Sequence, residues 1–319
     1  MKVSSRHLVD PQLLALADSV PAVELGPAIL PAMRGAATRF AVQPDDIARS
    51  EMTVRPAPGP RGEPDVMVTI YRPKGVQAAL PCVLHMHSGG YVMGSVASQE
   101  ALHRPLAADL GCCLISVDYR LAPETRFPGA VEDCYAALAW IVANASELLI
   151  DPARIGVMGE SAGGGLAAAL ALLVRDRGEY GLAFQHLICP MLDDRTCVAT
   201  DPNPYVGEFI WTPQRNHFGW SSLLGVEPGS HGVSPYAAAA RAEALSGLPV
   251  TYIAVGALDL FLEENLEYAR RLARSGVPVE LHVYPGGFHG FQWERHAAIT
   301  QIADRDSRAA LAKAMNSAR

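Results

Sequence analysis

The stretch that most limits how this chain can fold is Ile155-Gly156-Val157-Met158-Gly159-Glu160-Ser161-Ala162-Gly163-Gly164-Gly165-Leu166-Ala167-Ala168-Ala169-Leu170. A short apolar run ends in a Gly-x-Ser-x-Gly pentapeptide, and an Ala/Leu-rich run of strong helix propensity follows at once. The pattern predicts a strand, a sharp turn and a helix. Such a turn strains the serine backbone and needs residues nearly without side chains two positions before and two after. Gly159 and Gly163 meet that demand. Ser161 then stands at the carboxyl end of a strand, beside the positive end of a helix dipole. In a chain with 28 glycines the pentapeptide arises readily by chance, so a base, an acid and an oxyanion site must be found in matching places.

The rest of the chain repeats the strand–helix rhythm. Strand character is expected at Glu51–Arg55 and Asp65–Arg72, which alternate around a Pro/Gly loop and read as an antiparallel pair at a sheet edge. Pro81–His87 and Cys112–Tyr119 are more continuously apolar, as strands covered on both faces are. Arg154–Met158, His186–Cys189, Val250–Val255 and Val279–Tyr284 complete the set, with helices expected at Val131–Ala143, Glu263–Ser275 and Glu294–Met315. The fold class is therefore α/β, a mostly parallel sheet with helices on both faces. Residues 1–50 are Pro-punctuated and partly amphipathic, and read as an N-terminal cap segment of short helices. Residues 51–319 read as the catalytic domain, interrupted by an aromatic-rich cap insertion near 201–222.

The formal net charge of −7 leaves no basic footprint for nucleic acid or an anionic membrane surface. Cys82, Cys112, Cys113, Cys134, Cys189 and Cys197 form no Cys-x-x-Cys pair and read as free thiols, most of them buried. Asp10 and Pro11 interrupt what would be the apolar core of a signal peptide, and no run is long enough for a membrane span, so a cytoplasmic protein is expected.

A serine hydroxyl needs a base to take its proton, ordinarily a histidine oriented by a carboxylate, and after an elbow of this kind the chain order should be serine, acid, histidine. Asp259 follows the Val250–Val255 run, and His289 follows Val279–Tyr284 within Gly286-Gly287-Phe288-His289-Gly290. His282 in a strand and His296 in the last helix are poorer candidates for the base. Glu263 and Glu264 are rivals for the acid but are expected on a helix, facing solvent. Asp193 and Asp194 read as loop-capping residues. The oxyanion donors would be the backbone N–H groups of Ala162, after the nucleophile, and of Gly89 and Gly90 in the loop after Pro81–His87.

These motifs occur in order together with Asp118-Tyr119-Arg120-Leu121-Ala122-Pro123-Glu124, Pro190-Met191-Leu192-Asp193-Asp194-Arg195 and Phe288-His289-Gly290-Phe291. From about residue 50 onward the chain resembles the bacterial hormone-sensitive-lipase-like esterases, family IV of the α/β-hydrolase fold. The resemblance implies hydrolysis of short- to medium-chain carboxylic esters by Ser161, Asp259 and His289, with Gly89, Gly90 and Ala162 as the oxyanion hole. It implies a helical cap, a small-molecule ester as partner, no cofactor or metal, and often a homodimer. Three positions depart from the family pattern: Ser88 replaces the first glycine of the loop triplet, Glu160 stands where Asp is common, and Leu260 where Pro is common. The same triad also serves amidases, lactonases and acyltransferases, and related scaffolds such as the plant gibberellin receptors bind ligands without catalysis.

Overall fold

The structure is a computed structural model that describes residues 4–19, 23–35 and 40–317. Each of the eight expected stretches forms a strand. They are β1 (Ser50–Ala57), β2 (Val66–Pro73), β3 (Leu80–Met86), β4 (Cys113–Val117), β5 (Ile150–Glu160), β6 (Phe184–Ile188), β7 (Val250–Gly256) and β8 (Val279–Tyr284). They join one sheet in the order β1-β2-β4-β3-β5-β6-β7-β8. β1 and β2 run antiparallel as expected, β2 also pairs antiparallel with β4, and every pairing from β4 to β8 is parallel. The register sets Met86 opposite Gly159 and Glu160 opposite Ile188, so the loops after β3, β5 and β6 leave the sheet side by side.

Continuous apolar runs are what two covered faces require, because successive side chains point to opposite sides. Leu84, Ile115, Val157, Leu187 and Ile253 pack on one face with helices α5 (Gly129–Ala143), α6 (Ala162–Arg177) and α8 (Leu262–Arg274). Val83, Leu114, Met158 and Phe184 pack on the other with α4 (Glu100–Leu110) and α9 (Ala298–Asn316). Residues 162–174 of α6 are all buried, and the small Gly and Ala side chains at its start let the helix lie close to β5. Gly178 in the left-handed conformation ends it, its N–H donating to the Val174 carbonyl.

Two expectations about helix placement are corrected. The last helix starts at Ala298 rather than Glu294, because residues 291–297 form a 3-10 turn and loop, and the side chain of Gln12 accepts the Ala298 N–H at 2.7 Å. His296 therefore precedes the helix. Glu264 does not face solvent: it turns inward from α8, accepts from the N–H groups of Leu192 (2.6 Å) and Asp193 (3.3 Å) and from the Thr196 hydroxyl, and burial pushes its carboxyl well above the usual range. Glu263 is exposed as expected. Glu264 thus ties the start of α8 to the loop that follows β6. Asp194 is buried in that loop, paired with Arg241 at 2.6 Å and accepting from the N–H of Gly229, so it anchors more than its own turn.

The first fifty residues contain the short helices α1 (Leu14–Ser19), α2 (Leu30–Gly35) and α3 (Pro44–Arg49). The 201–222 stretch is irregular up to Thr212, whose hydroxyl caps α7 (Pro213–Leu224). The two regions touch: the Ser5 hydroxyl donates to Glu208 at 2.7 Å and Arg215 to the Val23 carbonyl at 2.9 Å. Arg34 of α2 reaches the carbonyls of Val92 (2.7 Å) and Ala122 (2.9 Å), joining the N-terminal segment to the loop after β3. None of the six cysteines is in a disulfide, and all but Cys197 are buried. Among the described residues no helix is long and apolar enough to cross a membrane.

Candidate active site

β5 delivers Ser161 into a backbone conformation of φ 55°, ψ −121°, immediately before α6. Such values are costly for a residue with a side chain and persist only where the surroundings enforce them. The Ser161 N–H donates to the Ile188 carbonyl at 2.9 Å, and its carbonyl accepts from Gly165 (3.0 Å) and Met191 (2.9 Å). The glycine requirement has a direct cause: a Cβ at Gly163 would run into the Met86 carbonyl, and one at Gly159 into the Gly163 carbonyl. The elbow is thereby seated on the end of β3, where the oxyanion loop begins.

Asp259 and His289 arrive from the neighbouring strands. Asp259 follows β7, and its Oδ1 accepts the Phe261 N–H at 2.9 Å, which aims Oδ2 at His289 Nδ1, also 2.9 Å away. His289 follows β8 in a loop fixed by the Leu258 N–H donating to the Gly287 carbonyl at 2.8 Å, and left-handed Gly286 and Gly290 let that loop turn back. His289 Nε2 lies 3.0 Å from Ser161 Oγ. The three side chains thus form one hydrogen-bonded chain, with relative exposures of 4% for Ser161, 1% for Asp259 and 7% for His289. Burial works against the imidazolium, but the Asp259 carboxylate, with the Cys189 sulfur beside it, outweighs burial and holds His289 well above the ordinary imidazole value.

Gly89 and Gly90 have φ of 133° and 60°, and the Gly89 carbonyl accepts from Val92 and Met93, closing the loop into a turn. Among the turn and loop backbone hydrogen bonds of the described residues, none is donated by Gly89, Gly90 or Ala162. The loop is anchored by His87, stacked on Tyr119 at 4.2 Å between ring centroids, and by the Tyr119 hydroxyl donating to the His87 carbonyl at 2.7 Å. Burial lowers the pKa of His87 to about 4, so it takes this place as a neutral ring.

Each departure from the family pattern has a local accommodation. Ser88 keeps its carbonyl in the turn, accepting from His87 Nδ1 at 2.8 Å, and leaves the two following glycines in place. Glu160 reaches His85 Nε2 at 2.9 Å, and His85 Nδ1 meets the Ser116 hydroxyl at 3.0 Å. Leu260 lies over Gly207, whose N–H donates to the Leu258 carbonyl at 3.1 Å, so the acid loop is braced by the 201–222 stretch in place of a proline ring.

Three residues near the triad escape sequence reasoning. The Trp211 indole lies against Gly90 and 6.2 Å from the His289 ring, held by its Nε1 donating to Asn216 Oδ1 at 3.1 Å. Phe261 meets His289 edge to face at 5.2 Å. Cys189, just past β6 with φ 37°, brings its thiol to His289 and Asp259, and burial pushes that thiol above its ordinary range. In the sequence Cys189 is only the last residue of the expected strand His186–Cys189, and nothing there marks its approach to the triad.

Comparison with known proteins agrees with this fold. A family profile described as the alpha/beta hydrolase fold matches residues 83–293. Carboxylesterase NlhH of Mycobacterium tuberculosis is 32% identical over 292 residues, 90% of each chain, and the ethyl acetate hydrolase of Pseudomonas putida is 31% identical over 239 residues, 74% of each. The solved structure of a bacterial heroin esterase superposes with a TM-score of 0.89 at 37% identity, covering 98% of this chain and 100% of the other. Sheet order, elbow and sequence profile together place the chain in the hormone-sensitive-lipase-like family of α/β hydrolases.

Proposed function

We propose that this chain is a serine carboxylesterase acting through an acyl-enzyme, with Ser161 as nucleophile, His289 as base, Asp259 as its orienting acid, and Gly89, Gly90 and Ala162 as oxyanion donors. The observation that carries the reading is the unbroken Asp259–His289–Ser161 hydrogen-bonded chain at a strained elbow. Ser161 Oγ attacks the ester carbonyl while His289 Nε2 takes its proton. The oxyanion accepts from the three N–H groups, each contributing roughly 10²–10³ in kcat. His289 then protonates the leaving alcohol, and water repeats the cycle on the acyl-enzyme. Asp259 holds the Nδ1–H tautomer and stabilises the imidazolium.

Relatives named carboxylesterase, arylesterase and ethyl acetate hydrolase favour esters over the amidase, lactonase, acyltransferase and non-catalytic readings. In this reading residues 1–50 and 201–222 form one cap, supported by the contacts from Ser5 to Glu208 and from Arg215 to Val23. The free thiols support a cytoplasmic setting, and exposed Leu281 and Val283 on the edge strand β8 support a homodimer.

The test is hydrolysis of p-nitrophenyl esters of graded acyl length across pH. The base must be neutral to act, and its pKa is raised, so kcat/KM should climb with pH through a midpoint above the ordinary value of about 6.5. Activity should be highest on short to medium acyl chains. Absence of turnover on every ester, or a rate independent of pH from acid to alkaline, would contradict the reading.

A further inference from the structure

We propose that Cys189, Asp259 and His289 form a binding site for a thiophilic divalent cation of the Zn2+ or Cd2+ type, and that its occupation switches off the triad. One ligand atom from each residue lies within 4.8 Å of the other two, and all three side chains are buried. Among the described residues this is the one group of three or more His, Cys, Asp or Glu side chains whose ligand atoms converge in this way. The inhibitory half of the proposal rests on the reading of His289 as the base; the binding half does not.

The donor set suits such an ion. A thiolate, an imidazole and a carboxylate are the ligand types of tetrahedral zinc, with a fourth position left for water. Zinc–sulfur bonds of about 2.3 Å and zinc–nitrogen and zinc–oxygen bonds of about 2.0 Å imply ligand separations of roughly 3.3–3.6 Å. To reach those separations the His289 Nδ1–Asp259 Oδ2 pair, 2.9 Å apart, opens by roughly 0.4 Å while the Cys189 sulfur, within 4.8 Å of a ligand atom of each, moves in, shifts within the reach of side-chain rotation. Charge also balances: thiolate and carboxylate neutralise the dication, so no net charge is buried. The backbone holds Cys189 in place, since its N–H donates to the Ala254 carbonyl at 2.6 Å and the next residue, Pro190, accepts from the Asn265 amide at 2.8 Å.

Binding inhibits because it relocates the imidazole proton or occupies its lone pair. The Cys189 thiol releases its proton to solvent, and the imidazole keeps one. Ligation through Nδ1 breaks the bond to Asp259 and leaves the remaining proton on Nε2, where the lone pair that accepts the Ser161 proton must be. Ligation through Nε2 occupies that lone pair directly. Either way the serine loses its base.

Titration of the full-length, metal-free protein with Cd2+, followed by the ultraviolet thiolate-to-cadmium charge-transfer band, tests binding without reference to activity. The wild type should saturate at one equivalent per chain, lose at least about tenfold in ester turnover, and recover with EDTA. Cys189→Ser, a near-isosteric change, should abolish the band and leave the activity it retains at least about tenfold less sensitive to Cd2+. Cys82→Ser should behave as wild type, because Cys82 lies in β3 away from the triad. A band that survives in Cys189→Ser, or a saturated site with undiminished turnover, would overturn the proposal. If the protein hydrolyses no ester, that failure belongs to the functional reading, and the ultraviolet titration still decides the site.

Discussion

Replacing Ser161 with alanine is expected to lower kcat for a p-nitrophenyl ester by about 10⁴–10⁶-fold, because in the proposed mechanism the hydroxyl is the atom that bonds to the acyl group and nothing beside it can substitute. Cys189 is the nearest other nucleophile in kind, but its thiol is held neutral by burial and lacks the elbow geometry. The fold should survive the change. The backbone bonds from Ser161 to Ile188, Gly165 and Met191 are independent of its side chain, so the thermal midpoint should stay close to that of the wild type. Steady-state kinetics and a melting curve on the same preparation check both halves. Full activity in the alanine variant would remove Ser161 from the mechanism.

The second large effect is expected from Asp259→Asn, with kcat reduced about 10⁴-fold and KM little changed. The cause is a tautomer. Asp259 Oδ1 accepts the Phe261 N–H, so an asparagine there keeps its carbonyl on that donor and turns its amino group toward His289 Nδ1. Nδ1 must then accept, which puts the ring proton on Nε2 and leaves no lone pair for the Ser161 hydroxyl. A variant within tenfold of wild type would mean that His289 is oriented by another group.

Much of this architecture is legible in the sequence because the determining signals are local. A buried parallel strand must be apolar on both faces, as Pro81–His87 and Cys112–Tyr119 are, and each of the eight expected runs is a strand. Gly159 and Gly163 are legible for the same reason, since the elbow leaves no room for a Cβ at either place. Asp259 and His289 can be found because each follows a strand, and adjacent parallel strands deliver their carboxyl-end loops to one edge.

What the sequence hides depends on contacts between distant segments. Glu264 carries no local mark of burial; it is inward because Leu192, Asp193 and Thr196 offer donors from another loop. The start of the last helix shifts to Ala298, where a glutamine nearly three hundred residues earlier takes its first N–H. Trp211 is recognisable only as part of an aromatic-rich stretch, while its contact with Gly90 depends on how the 201–222 stretch lies over the loop after β3. The approach of Cys189 to the triad depends on its positive φ just past β6 and on the β6–β7 register, neither of which a single sequence displays.

Stoichiometric labelling with a fluorophosphonate, followed by peptide mass spectrometry, tests the central claim most directly, because the reagent traps the nucleophile that the base activates. One adduct per chain is expected, on the peptide containing Ser161, with esterase activity falling in proportion to its formation. Inactivation with the adduct on another residue, or undiminished turnover by protein fully labelled at Ser161, would contradict it.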